Sequence, residues 1–183
     1  MILETRRLVL RDYNKRDATD IAEGLNNMGV SKWLAYVPYP YTRKDAKEWI
    51  RRCAEAVRKG KKRTNYDFAI VLKSENRVIG GVGLGNVNRV QGLAGGGIWL
   101  NAKYHGHGYG TEALGECIKF AFTKLKLRRI ELGFFKGNPT SFRMQKKFGF
   151  RVEGMRRKGF RCMADGRLKD EYITGLLKEE WKK

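Results

Sequence analysis

The chain has 183 residues, with 39 lysines and arginines against 19 aspartates and glutamates, for a formal net charge of +20. At 42% hydrophobic and 11% aromatic residues it is too apolar for a disordered chain, and its length suits one domain, residues 1–183, with a real core. No run reaches the length of a membrane span and no signal-peptide pattern precedes the first strand, so the expectation is a cytoplasmic protein with no membrane partner.

Residues 6–12 alternate and predict a strand. Residues 17–26 carry Ala18, Ile21, Ala22 and Leu25 on one face and predict a helix. The aromatic stretch 30–41 is punctuated by Pro38 and Pro40 and cannot form one regular helix. Thr42 with Asp45 makes a capping-box-like start for a helix whose apolar face is Ala46, Trp49, Ile50, Cys53 and Val57. Residues 66–73 and 77–87 predict an antiparallel hairpin around Ser74, Glu75 and Asn76. A fourth strand is expected over 95–100, an amphipathic helix over 111–125 and a fifth strand over 129–135. Asn138 reads as the N-cap and Pro139 as the first residue of a short helix that stops at Gly149. Strands at 150–153 and 171–177 complete an α+β fold with a mixed sheet. No repeat or linker divides the chain. Cys53, Cys117 and Cys162 lie far apart without metal-ligand spacing and read as reduced thiols.

The richest stretch joins the fourth strand to the following helix: His105, Gly106, His107, Gly108, Tyr109, Gly110 and Thr111. Glycines at every second position let backbone approach a ligand and permit positive φ. A helix start adds unpaired N–H groups and the positive end of the helix dipole, which together suit a diphosphate. A Walker loop is excluded, because no Gly-Lys-Ser/Thr follows. The dinucleotide pattern G-x-G-x-x-G is excluded too, because Thr111 stands where its third glycine belongs. A second run, from Gly80 to Gly85, lies among apolar residues and reads as strand. His105 and His107 are spaced to share a metal, but no third ligand lies near them in sequence, and no metal is expected.

The loop resembles the [RQ]-x-x-G-x-[GA] pyrophosphate loop of GNAT acetyltransferases, with His105 at the position usually held by Arg or Gln. The likeness extends along nearly the whole chain to the branch that includes the Rim-type ribosomal-protein N-terminal acetyltransferases. Leu3 to Arg11 is similar to that branch's first strand. Trp99 to Tyr104 resembles its approach to the loop, and Gly108 to Ala113 the loop's exit. Asn138 and Ser141, followed by Lys147, Gly149 and Phe150, resemble its N-x-x-S…K-x-G-F signature.

The resemblance implies a GNAT-type, mostly antiparallel sheet of about seven strands, flanked by helices. It is splayed between the fourth and fifth strands where the fourth is bulged. It implies acetyl-CoA as co-substrate, with pantetheine against Ile98, Trp99 and Leu100 and the pyrophosphate against His105, Gly106, His107, Gly108, Tyr109, Gly110 and Thr111. Asn138 would contact pantetheine or fix the end of the fifth strand. The tyrosine that many members place seven residues later to protonate the thiolate is Gln145 here, and Ser141 takes the role by resemblance to the Rim-type branch. Glu131, Asp170 and Glu171 are the carboxylates weighed as general base.

The implied activity is acetyl transfer to a primary amine in a ternary complex, the acceptor being a protein N-terminal α-amine as in ribosomal proteins. A small amine such as an aminoglycoside or polyamine is the alternative acceptor. An RNA-binding or ribosome-binding protein without catalysis is the alternative of another class. Residues 43–63 hold ten basic and three acidic residues, and residues 140–169 hold ten and two. Such surfaces fit an acidic partner, ribosomal RNA first, or simply a charged exterior. The assembly expected is a monomer or homodimer.

Overall fold

The computed structural model describes residues 1–182; Lys183 lies outside the described residues. The strands are β1 Ile2–Glu4, β2 Leu8–Arg11, β3 Tyr66–Leu72, β4 Arg77–Asn88, β5 Leu93–Leu100, β6 Arg129–Phe135, β7 Arg151–Arg161 and β8 Leu168–Leu177. They form one sheet in the order β1-β2-β3-β4-β5-β6-β8-β7. Neighbours run antiparallel throughout, except β5 and β6, which are parallel. The helices are α1 Ala18–Leu25, α2 Met28–Ser31, α3 Arg43–Arg58, α4 Tyr109–Thr123 and α5 Pro139–Lys147.

The α+β class and mixed sheet stand, with eight strands where about seven were expected. The added strand comes from the N-terminus. The chain turns at Thr5, whose N–H donates to the Leu8 carbonyl at 3.0 Å while its hydroxyl accepts from Leu8 N–H at 2.9 Å. What reads as one strand over 6–12 is therefore the second arm of a hairpin. At the opposite edge β7 runs on to Arg161, well past the expected 153. Its sequence is basic and its side chains are mostly exposed, so no apolar alternation marks it.

Each face of the sheet is covered. On one, Leu10, Phe68, Ile70 and Leu84 pack against Leu114, Cys117, Ile118 and Phe122 of α4. On the other, Ala69, Val71 and Val78 meet Ile21 and Leu25 of α1 and Ala46, Ile50 and Cys53 of α3. Burying side chains of this size stabilises by about 1.5–3 kcal/mol each. Val57, expected on the buried face of α3, is 37% exposed and lies in the helix's last turn, beyond the last buried residue Cys53. The start of α3 is the capping box expected: Asp45 N–H donates to Thr42 Oγ1 at 3.3 Å, and Asp45 Oδ2 accepts from Thr42 N–H at 2.8 Å.

The splay falls where the resemblance implied, between β5 and β6. They pair only over Leu93, Ala94 and Gly95 against Arg129, Ile130 and Glu131. The bulge beside it belongs to β4. Between Gly85 and Asn88, opposite Gly95 and Leu93, β4 holds one extra residue, with Asn86 at φ +52°. An extra residue adds local twist, and this one sits beside the last residues of β5 that still pair with β6.

Candidate active site

β5 ends at Leu100, and Asn101 closes the next turn by accepting from Lys103 N–H at 3.1 Å. Gly106 at φ +82° and Gly108 at φ +79° then reverse the chain into α4. Both angles are left-handed, where a side chain costs about 1–2 kcal/mol. Gly108 is the N-cap of α4 and offers no side chain to the first N–H groups. An uncapped helix start with the dipole's positive end behind it is an anion site.

The two histidines shape this loop from within. His105 Nε2 lies 3.0 Å from the Leu100 carbonyl and His107 Nδ1 2.8 Å from the His105 carbonyl. The His107 ring stacks on Tyr109 at 5.7 Å. Among the described residues no group of three His, Cys, Asp or Glu side chains is arranged to hold a metal.

Glu112, in the first turn of α4, would oppose an anion if it were free. Instead its carboxylate accepts from the Thr5 hydroxyl, from Arg7 N–H at 2.9 Å and from Arg7 Nε at 2.7 Å. Burial acts to raise its carboxyl, but these hydrogen bonds and the arginine charge outweigh it and hold the group below the usual carboxylate range. Arg7 also donates from Nη1 to the His107 carbonyl at 3.0 Å and lies 4.4 Å over the Tyr109 ring. The turn between β1 and β2 thus braces the glycine loop.

Beyond Gly95 and Glu131 the two strands part, so the β5 edge from Gly96 to Leu100 faces an open gap. A Cβ built on Gly110 would stand 3.1 Å from Leu100 Cδ1, 3.9 Å from Ile98 Cδ1 and 3.4 Å from Met144 Sδ. Ile98 and Leu100 thus lie under the start of α4, with α5 alongside. Trp99 points to the other face and packs over Gly24 and Gly81. Phe134 of β6 stacks on Phe142 of α5 and on Tyr172 of β8, each at 5.2 Å.

Asn138 caps α5, its Oδ1 accepting from Ser141 N–H at 3.2 Å. Gln145 is 2% exposed and donates from Nε2 to Ser141 Oγ at 3.2 Å, while its Oε1 lies 2.7 Å from the Thr174 hydroxyl. Because Gln145 fills an acceptor position on Ser141, the serine's own proton is free for another partner. The sequence reading treated Gln145 only as a missing acid; its fixing of Ser141 needed the contact with β8.

The predicted carboxylates part company. Glu131 pairs with Arg129 at 2.9 Å, and Arg129 also binds Glu153. Asp170 accepts from Lys158 N–H at 2.8 Å, fixing a residue at φ +49° where β7 loses register. Glu171 lies over Gly133 of β6 and pairs with Arg156 at 3.0 Å. Burial raises its carboxyl above the ordinary range against the pull of Arg156. Sequence reasoning missed Asp67, the one charge in the otherwise apolar β3. Burial pushes its carboxyl up to about 6 although Arg63 acts to lower it. The signal was there: a charge at the alternate positions shared with Ala69 and Val71 falls on a buried face.

A sheet splayed at its one parallel pair, with an uncapped glycine loop at the adjoining strand-to-helix junction, is the architecture of a CoA-dependent acyltransferase. The chain belongs to the GNAT acetyltransferases, whose domain profile matches residues 7–151. It is 30% identical over 179 residues to the N-acetyltransferase p20 of Bacillus licheniformis, covering 98% of this chain and 97% of that protein. The ribosomal-protein-S5-alanine acetyltransferase of Vibrio fischeri shares the fold with a TM-score of 0.83, at 24% identity and over the whole of both chains. So does the spermidine N-acetyltransferase of Vibrio cholerae, solved with CoA and spermine, with a TM-score of 0.79 at 21% identity over 96% of this chain and 98% of that one. The protein is an acetyl-CoA-dependent N-acetyltransferase.

Proposed function

We propose that this enzyme acetylates the α-amine of a protein N-terminus. In this reading backbone N–H groups from Gly106 to Thr111 hold the pyrophosphate of acetyl-CoA, flanked by His105 and His107. The open edge of β5 at Ile98, Trp99 and Leu100 pairs with pantetheine, and Asn138 orders the opposite rim. Ser141, held by Gln145, gives a proton toward the departing sulfur.

The observation that carries the choice of acceptor is Arg156, whose guanidinium lies 3.0 Å from Glu171 on the face opposite α4. With Arg157 and Lys158 beside it on β7, that rim repels a polycation and tolerates a single amine charge. An α-amine, with a pKa near 8, is also neutral about two hundred times more often at pH 7 than a lysine near 10.4, and so suits a carboxylate of modest strength. A polyamine acceptor is the second reading, supported by the two carboxylates Asp67 and Glu171. Mass spectrometry of products from an alanyl peptide and from spermidine, offered together with acetyl-CoA, separates the two. Acetylation of spermidine alone would overturn the first.

The basic surface supports docking on an acidic partner such as ribosomal RNA, but through fewer groups than composition implies. Arg51 and Arg52 are engaged by Glu48 and Glu55. Lys61, Lys62 and Arg157 are among the basic side chains that form no ion pair with the described residues.

A further inference from the structure

We propose that Asp67 is the general base of this acetyltransferase, receiving the proton of the acceptor amine from the face of the sheet opposite α4. The proposal rests on the N-acetyltransferase reading above, and it adds a residue on β3, two strands away from the splay.

Asp67 pairs with Gly83 of β4, and Gly83 with Gly97 of β5, so all three present the same face. Extending the register of Gly95 with Glu131 sets Gly97 opposite Gly133, at the point where β5 and β6 separate. Over Gly83 and Gly97 the floor leading from Asp67 to the splay is therefore bare of side chains, and Glu171 stands over Gly133 on the far side of the gap. A Cβ on Gly83 would stand 2.7 Å from Asp67 Oδ1, so the carboxylate leans over Gly83 toward β5. A Cβ on Gly97 would meet nothing within 4 Å, which leaves room for a ligand above that residue. β3 and β5 lie about 10 Å apart at ordinary strand spacing, so Asp67, leaning over Gly83, reaches an amine held above Gly97 through one water.

The carboxylate has no structural employment. It accepts no hydrogen bond within the described residues. Arg63, the cation whose charge acts on it, spends its ion pair on Asp12 at 2.9 Å. The other titratable groups that feel its charge are Tyr13 after β2 and Cys53 on α3, on this face, and Cys117 of α4 across the sheet, all neutral because burial raises each of them. A partly buried carboxylate without partners costs stability and calls for a ligand. Tyr13 and Trp99 stand over the neighbouring Gly81 and give the recess an aromatic wall, which suits an ammonium beside a carboxylate.

The step balances as follows. The ammonium gives one proton to Asp67. The freed nitrogen lone pair forms the C–N bond at the thioester carbonyl, and the C–S bond breaks. The second amine proton passes to the thiolate, by way of Ser141 or water, giving CoA and the amide. Asp67 then releases its proton to solvent. With its carboxyl near 6, Asp67 is ionised at neutral pH and ready to accept.

The test compares the parent with Asp67→Asn and Asp67→Glu, following CoA release across pH with an alanyl peptide and with spermidine. Asp67→Asn should lower kcat roughly 10²-fold, leave acetyl-CoA affinity unchanged, and remove the acid limb expected of the parent near pH 6. Asp67→Glu should restore part of the rate. Parental kcat and an unaltered acid limb in Asp67→Asn would overturn the proposal. If the parent uses spermidine and not the peptide, the α-amine reading fails and Asp67 is judged on spermidine. A second measurement needs no turnover. In the CoA-bound parent, the Asp67 carboxyl carbon resonance should titrate near pH 6 and shift on addition of alaninamide. Titration in the ordinary carboxylate range with no response to alaninamide would equally overturn it.

Discussion

Arg7 Nε lies 2.7 Å from Glu112 Oε2, joining residues 105 positions apart in the chain. The pair ties the first hairpin of the sheet to the first turn of α4, and through the His107 carbonyl to the glycine loop. It also occupies the carboxylate that would otherwise repel phosphate at a helix N-terminus.

Glu112→Gln should therefore destabilise the fold by about 1–3 kcal/mol and weaken acetyl-CoA binding roughly tenfold, measured by denaturant unfolding and calorimetry. The folded-state carboxyl is held low, so its stabilising effect is present above the unfolded pKa and lost as pH falls through the folded value. The parent should lose more stability than Glu112→Gln on acidification below about pH 4.5. Parallel stability curves for the two proteins would contradict this account of the pair.

Gly108→Val should abolish acetyl-CoA binding. At φ +79° any side chain is strained, and this one would stand in the approach to the α4 N–H groups. A thermal shift by acetyl-CoA as large as the parent's would remove the loop from the site. The folded state should persist, with a strain cost of about 1–2 kcal/mol.

Ser141→Ala should reduce kcat roughly 10²-fold with little change in acetyl-CoA affinity. Gln145→Ala should follow it in direction, since Gln145 holds Ser141 Oγ at 3.2 Å, and the double variant should lose little more than Ser141→Ala alone. Additive losses would mean that the two residues act separately, and an unchanged kcat in Ser141→Ala would leave solvent as the proton donor.

Docking on ribosomes should depend on Lys61, Lys62 and Arg157 more than on Arg51 and Arg52, which carboxylates already engage. Replacing the first three by Ser should lower cosedimentation at about 0.15 M salt and flatten its salt dependence, while turnover of a free peptide stays unchanged. A parent protein that remains wholly in the supernatant at this salt would end the docking idea.

Most of the fold was legible because its signals are local. Thr42 with Asp45, Asn138 with Pro139, and the glycines at 106 and 108 each announce a helix end through their own backbone chemistry. β7 was legible only in its first residues, because an exposed edge strand rich in arginine carries no alternation to read. The N-terminal hairpin was hidden for a related reason: its turn is held by Glu112, more than a hundred residues away.

By itself the sequence determined the α+β class, the order of most of its elements, the glycine-rich strand-to-helix loop and the family to which the chain belongs. These depend on spacings of a few residues, which a chain displays without being folded. Only the tertiary structure decided which carboxylates are free. Glu131, Asp170 and Glu171 read like Asp67 in the chain, but the first three are engaged by Arg129, by the Lys158 amide and by Arg156. The reason is physical: a carboxylate's strength and availability are set by burial and by neighbours brought from other strands, and neither is a property of its place in the sequence.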